Sequence, residues 1–302
     1  MSDIEKLGLT EKQLKYLRSI WLPPPQEIEE QNALMNCRML KSRFDDFDVR
    51  LVSGLKRYGD AVIVMSSGSS LNAVLKDVAY WKGDIICSTS HAVSVVHHAA
   101  IPDFITCVDA RGGDGELNAP ASVFADSIYV SHPCTNPSLF ENMERLGLFL
   151  HWEENSEFYN RFLPALFPWI FDRVITFVDS GAFNLYLATI LGYSRVYLAG
   201  YDIGGQRFTE SKWTGKDWEK IEPPESDMTN PLVTGQRKNC LLACLAVIRY
   251  GIKKKNTRFY QLSERTVLDQ IPISRDFDAE IDGRYPAHLI LKELNKALEV
   301  LK

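Results

Sequence analysis

Short apolar runs without polar alternation recur along the chain, and polar residues follow each run. The first run is Ala61–Met65, the second ends in hydroxyl residues over Asp84–Ser90, and the third is Ile101–Asp109. Unbroken apolar runs of this length are typical of parallel strands that are covered on both faces. Segments with helical spacing separate the runs, so the pattern predicts repeated strand and helix units.

The same alternation continues downstream, except at 206–229, which is polar without a clear period and predicts a long loop. Right-handed crossovers would bring the carboxyl ends of all these strands to one edge of the sheet. We therefore predict an α/β fold with a Rossmann-like, mostly parallel sheet flanked by helices. The further predicted strands are Ser127–Ser131, a run from Val174, Arg195–Gly200 and Thr257–Leu262, and the further predicted helices are 72–81, 92–100, 182–191, 235–250 and 287–301.

Three segments are expected from this pattern. Residues 1–55 have amphipathic helical spacing and form an N-terminal helical appendage, interrupted by the prolines at 23–25. Residues 56–275 contain the Rossmann-like domain, and 276–302 contain a C-terminal helix that packs on this core. At 302 residues and 45% hydrophobic content, the chain can bury one sizeable core.

Charge and cysteine content narrow the possible functions. The net charge of -5 gives no overall attraction to nucleic acid or to an anionic membrane. No apolar stretch is long enough to span a bilayer, and the first residues lack a secretion signal, so we expect a cytoplasmic protein. The six cysteines include no C-x-x-C pair and are expected to be reduced, without a metal.

Candidate ligand-binding residues lie where the apolar runs end. Gly68 would let the backbone approach a ligand, and the hydroxyls and amides of Ser67, Ser69 and Ser70 would favour an anion such as phosphate. An ordinary strand-to-helix turn capped by serine is the alternative interpretation. Gly181 occupies a similar strand-to-helix junction further along the chain.

At these positions the sequence resembles a family, the domain shared by motility accessory factor (Maf) glycosyltransferases and archaeal 6-hydroxymethylpterin diphosphokinase MptE-like proteins, with a sialyltransferase-like core. The resemblance covers roughly residues 58 to 275. Ser69 replaces the proline of the family turn, and the lysine before Pro102 is missing. The end of the third strand, Cys107–Arg111, is closer to the glycosyltransferase branch than to the pterin branch. The matching segments are Gly68–Leu71, Ile101–Asp109, Ser180–Phe183, Gly200–Ile203 and, more loosely, Tyr260–Glu264.

The resemblance implies a glycosyltransferase that moves a nonulosonic (sialic or pseudaminic type) acid from a CMP-sugar to a hydroxyl, with no obligatory metal. His132 is the expected general base and His91 the runner-up, because imidazole titrates near neutral pH. Pro133 and Pro137 should end the preceding strand and expose the His132 ring. The alternative for His132 is a turn histidine bonded to backbone. Asp202 is a further catalytic candidate. The predicted nucleotide and phosphate contacts are Ser67, Gly68, Ser69, Ser70, Asp109, Arg111 and Gly181, and the predicted acceptor loop carries Arg207, Lys212 and Trp213.

Two other functions remain open at this point. In an ATP-dependent 6-hydroxymethylpterin diphosphokinase, Asp109 and Asp202 would hold Mg²⁺ between the phosphates. In a catalytically silent nucleotide-sugar-binding protein, the altered turn at Gly68–Leu71 would bind without turnover. The acceptor, whether a glycan, a small molecule or a protein, and the oligomeric state are not specified by the sequence.

Overall fold

A computed structural model describes residues 26–45, 49–57, 59–111, 117, 121–141, 143–153, 156–174, 180–202, 207–214, 216–222, 240–241, 243–248 and 250–262. The predicted C-terminal segment 276–302, the first 25 residues and the predicted strand residues 175–179 lie outside this part of the chain.

The centre of the described molecule is an eight-stranded sheet in which all neighbouring strands are parallel. The strands of the described residues, in chain order, are β1 (Val49–Leu51), β2 (Ala61–Met65), β3 (Asp84–Ser88), β4 (Phe104–Cys107), β5 (Ile128–Ser131), β6 (Arg145–Leu148), β7 (Leu150–His151), β8 (Arg173–Val174), β9 (Arg195–Ala199), β10 (Glu210–Trp213), β11 (Trp218–Ile221) and β12 (Arg258–Gln261). Of these, β7 pairs with β8 and β10 pairs with β11 outside the main sheet. The sheet order is β1-β6-β5-β4-β3-β2-β9-β12. This confirms the predicted α/β fold with a parallel sheet.

The strand order reverses at β2. From β2 the chain builds outward through β3, β4, β5 and β6 on one side, whereas β9 and β12 lie on the other side. Ligands of open α/β sheets bind outside the carboxyl ends of the strands at such a switch point. The loops after β2 and β9 are therefore the first place to look for a site.

Helices cover both faces of the sheet, and β2 shows why its sequence is apolar throughout. Ile63 and Met65 belong to one buried cluster, while Val62 and Val64 belong to the cluster on the opposite face. The α-helices are α1 (Gln26–Asp45), α2 (Leu71–Leu75), α3 (Thr89–His97), α4 (Pro137–Glu141), α5 (Leu163–Leu166) and α6 (Ser180–Ile190). Shorter helical turns are Val52–Gly54, Val78–Tyr80, Ala121–Phe124, Phe158–Phe162 and Gly251–Lys255, and residues 240–241, 243–248 and 250 are also helical.

Three details differ from the sequence predictions. Residues 1–55 are not helical throughout, because Val49–Leu51 forms β1 at the edge of the main sheet. The helix predicted over 72–81 ends at Leu75 and is followed by a separate turn. The predicted loop 206–229 contains β10 and β11, an antiparallel hairpin whose strands are mostly polar and have no continuous apolar run.

Candidate functional site at the carboxyl edge

The loops after β2 and β9 are joined by backbone hydrogen bonds at the switch point. The Ser66 amide donates to the Ala199 carbonyl at 2.8 Å, and the Gly68 amide donates to the Gly200 carbonyl at 2.9 Å. A Cβ at position 68 would lie 2.1 Å from Oδ1 of Asp202, and Gly200 has a φ of +72°. Both glycines are therefore required by close approach or by left-handed backbone geometry.

Asp202 anchors the serine turn. Its carboxylate accepts hydrogen bonds from the Ser70 amide at 2.8 Å, from the Ser70 hydroxyl, and from the Ser69 hydroxyl at 3.1 Å. The structure thus brings together three predicted site residues, but it pairs them with one another. Their catalytic and phosphate-binding roles stay predictions, and a phosphate could use the Ser69 and Ser70 hydroxyls only after displacing this carboxylate.

His91 lies on α3 and links the ends of β2 and β3. Its Nε2 is 3.1 Å from the Ser67 hydroxyl, its Nδ1 bonds to the Ser88 hydroxyl, and its ring stacks on Phe208 with centroids 4.9 Å apart. Burial, followed by the positive charge of Arg207, lowers the pKa of His91 to about 3. A neutral imidazole at this position orients Ser67, since one ring nitrogen donates a hydrogen bond and the other accepts one.

Arg207 also lies against this turn. The backbone at Arg207 bridges to that at Gly68, and the Phe208 amide donates to the Ser67 carbonyl at 3.1 Å. Its Nη2 pairs with Glu210 at 2.9 Å, whereas its buried Nε has no partner within the described part of the chain. Ser67, Gly68, His91 and Arg207 therefore form one polar cluster, which we call the β2 cluster.

A second polar cluster lies at the ends of β4 and β5. His132 is only 2% exposed, so the prediction that the prolines after β5 expose this ring is wrong. The ring packs inward, 5.9 Å from the ring of Phe149 and 6.2 Å from that of His151. Nε2 lies 3.2 Å from the Val108 carbonyl and must be the protonated nitrogen, because a carbonyl can only accept.

The other ring nitrogen of His132, Nδ1, is buried and has no partner among the residues that the structure describes. Burial lowers the pKa of His132 to about 4, although the Val108 carbonyl and the Asp109 carboxylate oppose the shift. At neutral pH the ring is thus uncharged, with an unused lone pair on Nδ1. This is the protonation state that a general base requires.

Groups that the sequence analysis missed lie beside His132. Oε1 of the buried Glu29 accepts a hydrogen bond from the Tyr159 hydroxyl at 2.6 Å, and Tyr159 packs edge-on against His151 at 4.3 Å. Burial raises the pKa of Glu29 to about 7, and burial followed by the proximity of His132 lowers that of His151 to about 3. A carboxyl group on the first turns of α1 normally faces solvent, so no local pattern pointed to this burial.

We call His132, His151, Tyr159 and Glu29 the β5 cluster. Asp109 and Arg111 border it as a local pair, in which the Arg111 amide and Nε both donate to Oδ1 of Asp109, at 2.9 and 3.3 Å. The Asp109 side chain is 48% exposed. It is therefore accessible at the same edge of the sheet.

Solved structures include proteins with a similar fold. The Maf glycosyltransferase from Magnetospirillum magneticum AMB-1 superposes with a TM-score of 0.50 and 13% sequence identity, over 83% of this chain and 38% of that one. The chain shares its fold with this Maf glycosyltransferase. It spans little more than a third of the Maf protein's length. No family model matches the chain, and no curated protein does.

Two sialyltransferases of Campylobacter jejuni are also similar, at lower scores. CstII in complex with the substrate analogue CMP-3FNeuAc has a TM-score of 0.38 and 12% identity, over 80% of this chain and 100% of that chain. An alpha-2,3-sialyltransferase in its apo form has a TM-score of 0.39 and 13% identity, over 80% of this chain and 96% of that chain.

The remaining predicted site residues of this Maf-like fold, Gly181, Lys212 and Trp213, belong to neither cluster. Gly181 is buried near the start of α6, where its carbonyl accepts a hydrogen bond from the Tyr201 hydroxyl at 2.7 Å. Lys212 and Trp213 lie on β10, in the hairpin that packs against α3. Lys212 is exposed, and the ring of Trp213 lies 5.1 Å from that of Trp218. Their predicted roles remain untested.

The two aspartates proposed for Mg²⁺ in the diphosphokinase alternative follow different strands. Asp109 follows β4 and Asp202 follows β9, and β3 and β2 lie between these strands. Three interstrand spacings correspond to about 14 Å, which does not suit one shared ion. Among the described residues, no group of three or more His, Cys, Asp or Glu side chains could hold a metal. Within the same residues, no helix is long and apolar enough to cross a membrane.

Proposed function

We propose that this chain is a glycosyltransferase that moves a nonulosonic acid from a CMP-linked donor to a hydroxyl acceptor. The observation that carries the proposal is the neutral His132, whose Nδ1 has no partner among the described residues and lies at the same sheet edge as the β2 cluster. The fold shared with a Maf glycosyltransferase supports this assignment.

In this proposal the β2 cluster holds the donor phosphate. Gly68 allows close approach of the backbone, the Ser67 hydroxyl is oriented by the neutral His91, and Arg207 supplies a positive charge. In this proposal Arg207 exchanges its Glu210 partner for the phosphate, since the fork of N–H groups of a guanidinium can bind two phosphate oxygens together. Charge on the leaving phosphate is offset by Arg207, so the proposed reaction has no step that requires a metal.

The β5 cluster then acts on the acceptor. Nδ1 of His132 takes the proton of the acceptor hydroxyl while that oxygen attacks the anomeric carbon of the donor. The bond between the anomeric carbon and the phosphate oxygen breaks, and CMP leaves with the electron pair. The imidazolium that forms is stabilised by the nearby Asp109 carboxylate. Because Nδ1 is buried, the groups that cover it must move when the acceptor binds.

A thermal-shift screen of the full chain tests the nucleotide specificity, with CMP, CDP, UDP, GDP and ATP, each with Mg²⁺ and with EDTA. We expect CMP to stabilise the protein equally in both buffers, by about 2.7 kcal/mol at one hundred times its Kd. Selective stabilisation by ATP with Mg²⁺ would instead support the diphosphokinase. No shift with any nucleotide would contradict both enzymes and leave the protein without a nucleotide ligand.

Donor turnover provides the second arm of the test. A chain that binds CMP, yet neither transfers nor hydrolyses a CMP-linked nonulosonic acid, would be the silent binding protein. A glycan, a small molecule and a peptide should each be offered as acceptor, because the described residues do not distinguish among them.

A further inference from the structure

Helix α1 buries polar side chains on the face that packs against the β5 cluster. Asn36 is fully buried and Glu29 is 7% exposed, whereas Leu34 and Met35 on the same helix are 57% and 67% exposed. Burying an amide is costly unless hydrogen bonds compensate for the loss of water. These buried polar side chains therefore indicate that this face of α1 has a specific polar partner.

That partner is the turn that follows His132. Nδ2 of Asn36 donates to the carbonyls of Pro133 and Thr135, both at 2.8 Å. Nδ2 of Asn32, one helical turn earlier, donates at 2.9 Å to the carbonyl of Cys134 and at 2.9 Å to that of Ala110. Three successive carbonyls after the histidine are thus bound by two side chains of one helix.

The bond to Ala110 extends this arrangement to the loop after β4. The same loop supplies the Val108 carbonyl that accepts from Nε2 of His132 and fixes its tautomer. Asn32 therefore ties the turn that carries His132 to the loop that holds its ring. In Asn36, Oδ1 has no partner among the described residues, so this amide contributes to the site through its donors.

We propose that Asn32 and Asn36 form an amide clamp that positions His132, and that they do so without contacting the substrate. The inference rests on the proposed function, in which His132 is the base. Loss of the clamp would free the turn and let the ring leave the Val108 carbonyl. Misplacing a reacting group by about 1 Å can lower turnover on the order of 10²-fold, while donor binding at the β2 cluster should be unaffected.

The first experiment follows the His132 ring in the full chain labelled with ¹⁵N-histidine, with signals assigned from His132→Gln. In the unsubstituted protein we expect the Nε2–H tautomer at neutral pH and a titration midpoint at about 4. Asn32→Ala and Asn36→Ala should each produce a mixture of tautomers and move the midpoint toward the ordinary value of 6.5. Unchanged ring signals in both variants would overturn the clamp.

Arg43→Ala is the matched control on the same helix. Arg43 also donates to three carbonyls, those of Phe140 at 2.7 Å, Met143 at 2.7 Å and Glu144 at 2.6 Å, but these do not belong to the His132 turn. Its loss should destabilise the fold without changing the His132 signals. Equal changes in Arg43→Ala and in the asparagine variants would show general loosening and overturn the proposal.

Kinetics supply the second readout. The alanine variants should lose turnover with a donor KM within about twofold of the parent, the pattern expected when only transition-state interactions are removed. Asn32→Asp keeps the shape but removes the donors and should behave like Asn32→Ala, whereas Asn32→Gln keeps the donors and should recover part of the activity. Equal activity of the aspartate and glutamine variants would contradict the clamp. The ring measurement needs no substrate, so it tests the clamp even if the chain transfers no sugar.

Discussion

The β2 and β5 clusters occupy the same edge of one sheet but are built in different ways. The β2 cluster is centred on a turn that Asp202 and the β9 loop hold with direct hydrogen bonds. The β5 cluster depends on α1, whose Asn32 binds carbonyls 78 and 102 residues further along the chain. The hydrogen-bonded turn of the β2 cluster suits rigid binding of a ligand. The β5 cluster suits a general base, because Nδ1 of His132 has no partner among the described residues.

Substituting Gly68 by Ala tests the β2 cluster and should have the largest effect. The new Cβ would lie 2.1 Å from Oδ1 of Asp202 and 2.6 Å from the Gly200 carbonyl, so backbone must move. We expect a loss of about 3 kcal/mol or more in the free energy of unfolding, measured by urea denaturation. Gly54→Ala is the control, because no atom of the described residues lies within 4 Å of the added Cβ. Equal stability of the two variants would mean that the β2 and β9 loops are not in contact.

Removing the imidazole of His132 tests the role of the β5 cluster. His132→Ala should lower turnover on the order of 10²-fold and leave the Kd for CMP unchanged, as measured by product formation and calorimetry. His98→Ala is the control, since the His98 ring bonds to the Ser94 carbonyl on α3 and His98 belongs to neither cluster. With a His132 pKa of about 4, kcat/KM of the parent should stay constant from pH 8 to pH 5 and fall below that. Full activity of His132→Ala would remove His132 from the mechanism.

Part of the β2 cluster could be predicted from sequence, because the strand and the turn at its centre are adjacent in the chain. The run Ala61–Met65 and the turn that follows it are contiguous, and the structure places the strand within the predicted bounds. Ser67, Gly68, His91 and Arg207 were all named as candidates, and they lie together. Phe208 was missed, since neither period nor composition indicates which residue of a polar segment will stack on a histidine.

The β5 cluster was mostly beyond such an analysis, because it depends on contacts between distant segments. His132 was identified as a candidate, but the adjacent prolines suggested exposure, whereas the tertiary packing buries the ring. Glu29 and Asn36 are polar residues on a helix and locally resemble a solvated face. β1 was missed for another reason, since a strand of three residues is too short to show a period.

The buried carboxyl group of Glu29 in the β5 cluster should make the free energy of unfolding depend on pH. Glu29 has a pKa of about 7 in the folded protein and 4.5 as the reference value, so the native state retains a proton that the unfolded chain loses between these values. Stability should therefore fall as pH rises through this interval. Glu29→Gln cannot ionise, and its stability relative to the parent should increase from pH 4.5 to pH 7 by about 2 kcal/mol.

Thermal denaturation across this pH range checks the expectation. Glu157→Gln is the control, since it removes a carboxylate that is 85% exposed. If the stability difference between Glu29→Gln and the parent were the same at pH 5 and pH 8, Glu29 would not be a buried protonated acid. Glu29 would then carry a charge in the folded protein, and its carboxyl group would no longer distinguish the β5 cluster from the β2 cluster.

The smallest effect is expected for Arg207, and it decides whether the β2 cluster binds an anion at all. Arg207→Gln removes a positive charge beside Ser67 and Gly68 while keeping polar atoms on the side chain. Losing one charge-assisted hydrogen bond should weaken CMP binding about tenfold, measured by titration calorimetry. Lys253→Gln removes the same charge from an exposed turn that precedes β12. This turn lies at the amino ends of the strands, away from the carboxyl edge, so the Kd should not change. Equal affinities of both variants would show that the rigid turn, although well ordered, does not recognise phosphate, and the donor would have to be held elsewhere on the carboxyl edge.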